Sequence, residues 1–206
     1  MPPGYFITFE GIDGSGKTTQ LQMAEKFLAD NGRSTLVLRE PGSTPISEKI
    51  RDLLLNPGLK INPVSELMLY LAARAELVAQ VIAPAIDNGR IVLCDRFHDS
   101  TTAYQGYGRG IEVALVSRLN ELAIGKYKPH LTFLIDVDYR TSLTRRKTAT
   151  DRLEAENHEF FDRVRQGFLQ IARNEPDRVI VINGNRTPVE IFIEVKDCLS
   201  RKMNII

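Results

Sequence analysis

Tryptophan is absent from the 206 residues, and cysteine and histidine are scarce, at two and three. Cys94 and Cys198 cannot staple a framework, so they read as reduced, partly buried thiols of a cytoplasmic protein. His98, His130 and His158 are scattered without ligand spacing, which excludes a built-in zinc site. Charge of one sign is also missing: 27 Lys and Arg against 26 Asp and Glu leave a net charge of +1. Without a net field there is no global electrostatic case for nucleic acid or an anionic membrane as partner. No continuous run of about 18 apolar residues is seen, so no membrane span is expected. Met1-Pro2-Pro3-Gly4 lacks the basic flank and apolar core of a signal peptide.

What remains is an ordinary globular composition, 43% hydrophobic and 26% charged, expected to form one domain over residues 1–206. Five short apolar runs recur: Tyr5–Phe9, Thr35–Leu38, Ile91–Cys94, Leu131–Val137 and Val179–Ile182. None alternates cleanly, which is how strands buried on both faces read. Helical patterns lie between them. Leu21, Ala24 and Leu28 share one face; Leu67, Leu71, Val78 and Ile82 trace a longer helix; Phe161, Val164, Phe168 and Ile171 trace another. Thr187, Pro188 and Glu190 form a capping box that opens the last helix, with Ile191, Val195 and Leu199 inward. This alternation predicts an α/β fold, a parallel five-stranded sheet with helices on both faces. The stretch at about 145–156, with Arg145, Arg146, Lys147, Thr148, Thr150, Asp151 and Arg152, is poor in apolar residues and reads equally as a lid segment or a solvated helix end.

The strongest motif is Gly11-Ile12-Asp13-Gly14-Ser15-Gly16-Lys17-Thr18, which fits G-x-x-x-x-G-K-[ST] between a predicted strand and a predicted helix. Glycines let backbone N–H groups turn in around an anion, and the helix start adds its dipole. Lys17 is placed to reach β- and γ-phosphates, and the Thr18 hydroxyl to ligate Mg²⁺. The binding stretch extends to Thr19. No N-K-x-D follows a later strand, which weakens a guanine-selective switch.

A second polar cluster closes the third strand, Ile91-Val92-Leu93-Cys94-Asp95-Arg96. Ligands gather at such strand ends in open α/β sheets. Asp95 is placed for Mg²⁺ and Arg96 for a second phosphate; a strand-end salt bridge is the competing reading. Arg39-Glu40-Pro41-Gly42 closes the second strand in the same way. Tyr70 and Arg74 share a helix face and suit a nucleobase, though a core tyrosine beside a surface arginine reads the same in isolation. Ser100, Thr101, Tyr104 and Gln105 offer hydroxyl and amide groups on a short helix. Gly106, Gly108 and Gly110 suggest a flexible turn bearing Arg109.

Together these segments resemble the thymidylate kinases. Thr8-Phe9-Glu10 through Thr19-Gln20 is similar to their opening, Arg39-Glu40-Pro41-Gly42 to their second motif, and Asp95-Arg96-Phe97 with Ser100, Ala103-Tyr104-Gln105-Gly106 and Gly108-Arg109-Gly110 to their third. Asp151-Arg152 with Glu154 resembles the bacterial lid. The resemblance implies a P-loop nucleoside monophosphate kinase fold and ATP-dependent, Mg²⁺-assisted phosphorylation of dTMP to dTDP in dTTP biosynthesis. It implies that Tyr70 stacks on thymine, Arg74 donates to a thymine carbonyl, and Arg96 binds the dTMP phosphate beside Asp13. Arg39, Ser100, Thr101, Tyr104 and Gln105 complete that set, with Tyr104 crowding the 2′ position. The phosphate loop carries no arginine, so the resemblance points to a lid arginine: Arg152 first, then Arg145 and Arg146. The family is dimeric, which implies a homodimer here. Ser43-Thr44 stands where a second glycine and threonine are usual, and Ser47 where glycine is common.

The chemistry matches the residue types. A phosphate acceptor is already anionic and needs no strong base; cations, N–H donors and water exclusion carry the transfer. Two other readings share the phosphate loop: a kinase for a different monophosphate or small alcohol, and a nucleotide-dependent switch or partner-binding ATPase.

Overall fold

The computed structural model describes residues 4–146 and 151–205. In chain order the elements are β1 Tyr5–Glu10, α1 Lys17–Asp30, β2 Thr35–Arg39, α2 Pro45–Leu55, α3 Pro63–Leu77, α4 Ala83–Asp87, β3 Ile91–Asp95, α5 His98–Thr101, α6 Val113–Ile124, β4 Leu131–Asp136, α7 Tyr139–Arg145, α8 His158–Asn174, β5 Val179–Asn183 and α9 Pro188–Met203. The five strands pair in parallel in the order β2-β3-β1-β4-β5. Every expected strand is present, four of them one polar residue longer than its apolar run.

Both sheet faces are covered. On one, Leu21, Ala24 and Leu28 of α1 and Ile191, Val195 and Leu199 of α9 pack against Ile7, Phe9, Leu93, Phe133, Ile135 and Ile182. On the other, Leu77, Val78 and Ile82 cover Phe6, Leu38, Val92 and Cys94, while Phe161, Val164 and Phe168 of α8 cover Leu134 and Val179. The capping box of α9 forms as its sequence dictates, with the Thr187 N–H donating to Glu190 Oε2 at 2.9 Å.

Two helical runs are looser than sequence suggests. Val78–Ile82 is a π-helical turn between α3 and α4. Pro84 lies two residues beyond it and has no N–H to return to the Gln80 carbonyl. Thr102–Gly108 is likewise π-helical and continues α5. Gly106 and Gly108 are thus buried helix positions rather than a flexible turn; a Cβ on Gly108 would lie 2.7 Å from the Phe160 ring.

The combined run Pro63–Asp87 spans 25 residues and is apolar enough by length and composition to cross a membrane. Glu66, Arg74 and Glu76 interrupt it, so it is not a continuous apolar run. Its Arg74 is 1% exposed and ion-paired with Glu40, and its Leu67, Leu71, Leu77 and Ile82 are buried in the core, so it packs as a core helix.

The strand register sets the site. Phe9 and Arg39 both pair with Asp95, so the carboxyl ends of β1, β2 and β3 meet at one edge.

Candidate active site

The phosphate loop leaves β1 through Gly11, whose φ is +139°. A Cβ there would lie 2.5 Å from the Ile135 carbonyl, and one on Gly14 (φ +77°) 2.5 Å from that of Ser142, so only glycine fits either position. α1 begins at Lys17, so its free N–H groups and dipole point into the loop. Lys17 Nζ lies 3.6 Å from Asp13 Oδ1. The Ser15 hydroxyl is buried without a hydrogen-bond partner, and Ile12 turns into the core. Thr18 Oγ1 donates to Asp95 Oδ2 at 2.5 Å. A cleft of about 400 Å³ opens here, lined by Gly14–Gln20, Arg145, Arg186, Pro188 and Ile191.

A second cavity lies beyond Asp13. It gathers Asp13, Tyr70, Arg74, Arg96, Ser100, Thr101, Tyr104 and Gln105, eight residues singled out from sequence on four separate segments. Arg96 lines this cavity and reaches back to the phosphate loop. Its Nη2 donates to Asp13 Oδ1 at 2.6 Å, and its Nη1 donates to the Gly11 carbonyl at 3.0 Å and to Ser100 Oγ at 3.1 Å. Its guanidinium lies 5.1 Å over the Tyr104 ring. Burial pushes the Asp13 carboxyl up, but Arg96 and Lys17 outweigh it and hold that group well below the usual carboxylate range.

Arg74 lines this cavity, with most of its donors used elsewhere. Nε and Nη2 donate to Glu40, Nη2 also to the Phe97 carbonyl, and Nη1 to Asn120 Oδ1. Of five N–H groups these contacts occupy four, which leaves one on Nη1. Tyr70 is 8% exposed, and burial raises its phenol. Gln105 Nε2 donates to Glu66 Oε1 at 2.8 Å. Thr101 Oγ1 is buried without a partner.

Arg39 does not join the cavity. It pairs with Glu48 at 2.9 Å, with half its side chain exposed. The two serines in place of usual glycines are accommodated. Ser43 adopts φ +69° and donates its N–H to Glu48 Oε1 at 2.6 Å. Ser47 is buried and donates to the Ala73 carbonyl at 2.8 Å.

The three candidate lid arginines separate. Arg145 borders the phosphate-loop cleft and donates to the Gly184 carbonyl. Arg146 lies over Phe161, near enough to Asp13 to lower its carboxyl. Arg152 stands between Asp151 and Leu153, which line the second cavity: its Nη2 approaches Glu66 Oε2 at 2.6 Å as a charge contact without hydrogen-bond alignment, and its Nε donates to the Leu54 carbonyl. Lys147, Thr148 and Thr150 lie outside the described residues. Sequence reasoning missed Arg51 and Leu153, which also line the cavity, and named Asp151, another lining residue, only as part of the lid segment. Arg51 arrives on α2 and donates to the Pro41 carbonyl at 2.9 Å. Arg186, from the turn between β5 and α9, borders the other cleft.

The arrangement is two cation-bearing spaces, one lined by Lys17 and the other by Arg96, with Asp13 in contact with both cations. Comparison with known proteins agrees. The family model described as thymidylate kinase matches residues 9–194. A thymidylate kinase of Syntrophotalea carbinolica is 44% identical over 210 residues, covering 98% of this chain and 97% of that protein. One from Geobacter sulfurreducens is 49% identical over 191 residues, covering 88% and 90%. The crystal structure of thymidylate kinase from Ehrlichia chaffeensis superposes with a TM-score of 0.78 at 39% identity, covering 96% of this chain and 99% of that one. By fold and by sequence, this chain belongs to the thymidylate kinase family.

Proposed function

We propose that this chain transfers the γ-phosphoryl group of ATP to dTMP, giving ADP and dTDP. One observation carries the reading. Arg96, tied to Asp13 at 2.6 Å, lines a cavity bearing Tyr70, Arg74, Ser100, Tyr104 and Gln105, and Asp13 lies 3.6 Å from Lys17 of the phosphate-loop cleft. ATP occupies the cleft, with its phosphates in the loop N–H groups and on Lys17. Thymine stacks on Tyr70 and takes the remaining Nη1 N–H of Arg74. Tyr104 closes the sugar side. Arg96 holds the dTMP phosphate so that its oxygen faces the γ-phosphorus.

Thr18 and Asp95 suit Mg²⁺: both are hard oxygen donors beside the loop, and this ion keeps most of its water and takes few protein ligands. When bound, Mg²⁺ neutralises charge on the donor phosphates. The remaining work falls to the protein. Asp13 stays ionised and fixes Arg96 and Lys17 at the junction. The acceptor oxygen needs no base. Arg146, nearest Asp13, is the lid arginine best placed for the transferring group, while Arg152 steadies the acceptor side through Glu66.

The active form is a homodimer in a reducing, cytoplasmic compartment. α3 packs on α2 and α6, and these helices leave Ile46, Leu53, Val64, Met68 and Leu122 between 48% and 82% exposed. Ala72, Ala75 and Ala79 are exposed at helical spacing between them and permit close helix approach. Cys94 and Cys198 are free thiols. A coupled ADP assay with dTMP, dUMP, CMP, AMP and GMP tests the assignment. A preference for dTMP supports it, and a preference for any other acceptor refutes it.

A further inference from the structure

We infer that Glu10 is a positioning residue for Arg96, fixing both the backbone beyond that arginine and the hydroxyl that holds its guanidinium. The inference rests on the reading that Arg96 grips the acceptor phosphate. Glu10 ends β1, one residue before the phosphate loop, and is fully buried. Its Oε1 accepts the Phe97 N–H at 2.7 Å, and its Oε2 accepts the Ser100 hydroxyl at 2.6 Å.

Arg96 has a φ of +67°, a left-handed conformation that a residue with a Cβ rarely adopts unless its surroundings hold it. The two peptide N–H groups flanking its Cα are both tied to β1. Its own N–H donates to the Phe9 carbonyl at 3.0 Å, and the next one donates to Glu10. The side chain is tied to the same carboxyl group. Arg96 Nη1 donates to Ser100 Oγ, which donates in turn to Glu10. Glu10 thus holds Arg96 at both ends.

A carboxyl group here works against burial. Desolvation, and Asp99 on α5, push it well above the usual range, which Ser100, Arg96 and the Phe97 N–H only partly oppose. An apolar side chain would fill the space without that cost. Neither Phe97 N–H nor Ser100 would then have this partner, and Arg96 would be free to leave its left-handed conformation.

The test uses the full chain with Glu10→Met, Glu10→Gln and Ser100→Ala, reading KM for dTMP and for ATP separately. Losing two buried hydrogen bonds predicts a dTMP KM raised about 10- to 100-fold in E10M. The ATP KM stays within about twofold, because the loop keeps its own glycines and Lys17. E10Q keeps an acceptor for Phe97 and a donor for Ser100, and restores most of the dTMP affinity. Adding S100A to E10M raises KM by less than about twofold more, since both act on one arginine. An unchanged dTMP KM in E10M overturns the inference, as does an ATP KM that rises in step or a double variant whose effects multiply. Should E10M not fold, S100A decides alone. A dTMP KM raised about tenfold at constant ATP KM supports the relay, and an unchanged dTMP KM overturns it. Wild-type protein that does not phosphorylate dTMP refutes the proposed function instead.

Discussion

Arg96 and Asp13 form a 2.6 Å ion pair in the second cavity, and Asp13 in turn lies 3.6 Å from Lys17, which lines the phosphate-loop cleft. One partner comes from the end of a strand and the other from the phosphate loop. The pair keeps a cation where two phosphates must approach each other. Arg96→Gln should lower kcat/KM for dTMP by about 10³-fold or more, by analogy with other cations at phosphoryl-transfer sites. Thermal denaturation should confirm that the variant still folds. Turnover within about tenfold of wild type would remove Arg96 from the mechanism.

Arg146 and Arg152 should fail differently. Arg146→Ala is expected to lower kcat by about 10²-fold or more, because it lies on the Asp13 side and removes a cation from the transfer step. Arg152→Ala is expected to raise the dTMP KM with a smaller change in kcat, because its contacts are Glu66 and the Leu54 carbonyl. Steady-state kinetics on both variants separate the roles. Reversed effects would restore Arg152 as the catalytic lid arginine.

Legibility from sequence followed how local the physics is. The phosphate loop was readable because its glycines, lysine and helix start act within eight consecutive residues. The α9 capping box was readable for the same reason. The parallel sheet followed from apolar runs that must be buried on both faces. The partners of Arg74 were not readable: Glu40 and Asn120 meet it only when β2, α3 and α6 converge. Arg51 escaped notice because α2 packing alone brings it to the cavity. Arg39 carries the signal of a strand-end ligand, yet it turns to Glu48 one helix turn beyond the Ser43 bend. The π-helical turns leave no mark in a 3.6-residue periodicity.

Glu40→Gln tests the buried pair. Arg74 and Glu40 are each nearly inaccessible, and neutralising one leaves a buried charge uncompensated. A loss of about 3–5 kcal/mol in unfolding free energy is expected by denaturant titration. A loss below about 1 kcal/mol would mean that water or Asn120 already compensates Arg74.

His98 predicts acid sensitivity. Burial, with Arg178, Arg74 and Lys128, pulls its imidazole down to about 4, against opposition from Asp99. A base whose folded value is depressed binds its proton more readily when unfolded. Its stabilising contribution is therefore present above about 6.5 and is lost as pH falls toward 4. Wild-type protein should lose up to about 1.4 kcal/mol per pH unit more than His98→Asn across that window. Parallel stability curves would contradict the assignment.

Met68→Asp and Leu122→Asp place charges on the exposed apolar face of α3 and α6. Each should shift the mass measured by light scattering from dimer to monomer. A wild-type monomer, or dimers unaffected by either change, would place association elsewhere or exclude it.

The central claim is a direct transfer between two nucleotides across Arg96. It is tested most directly by mixing the protein with Mg²⁺, dTMP and ATP labelled at the γ-phosphorus and separating the products. The account predicts label in dTDP, matched one to one by ADP, with little free phosphate. Label released as phosphate while dTMP remains unchanged would contradict it.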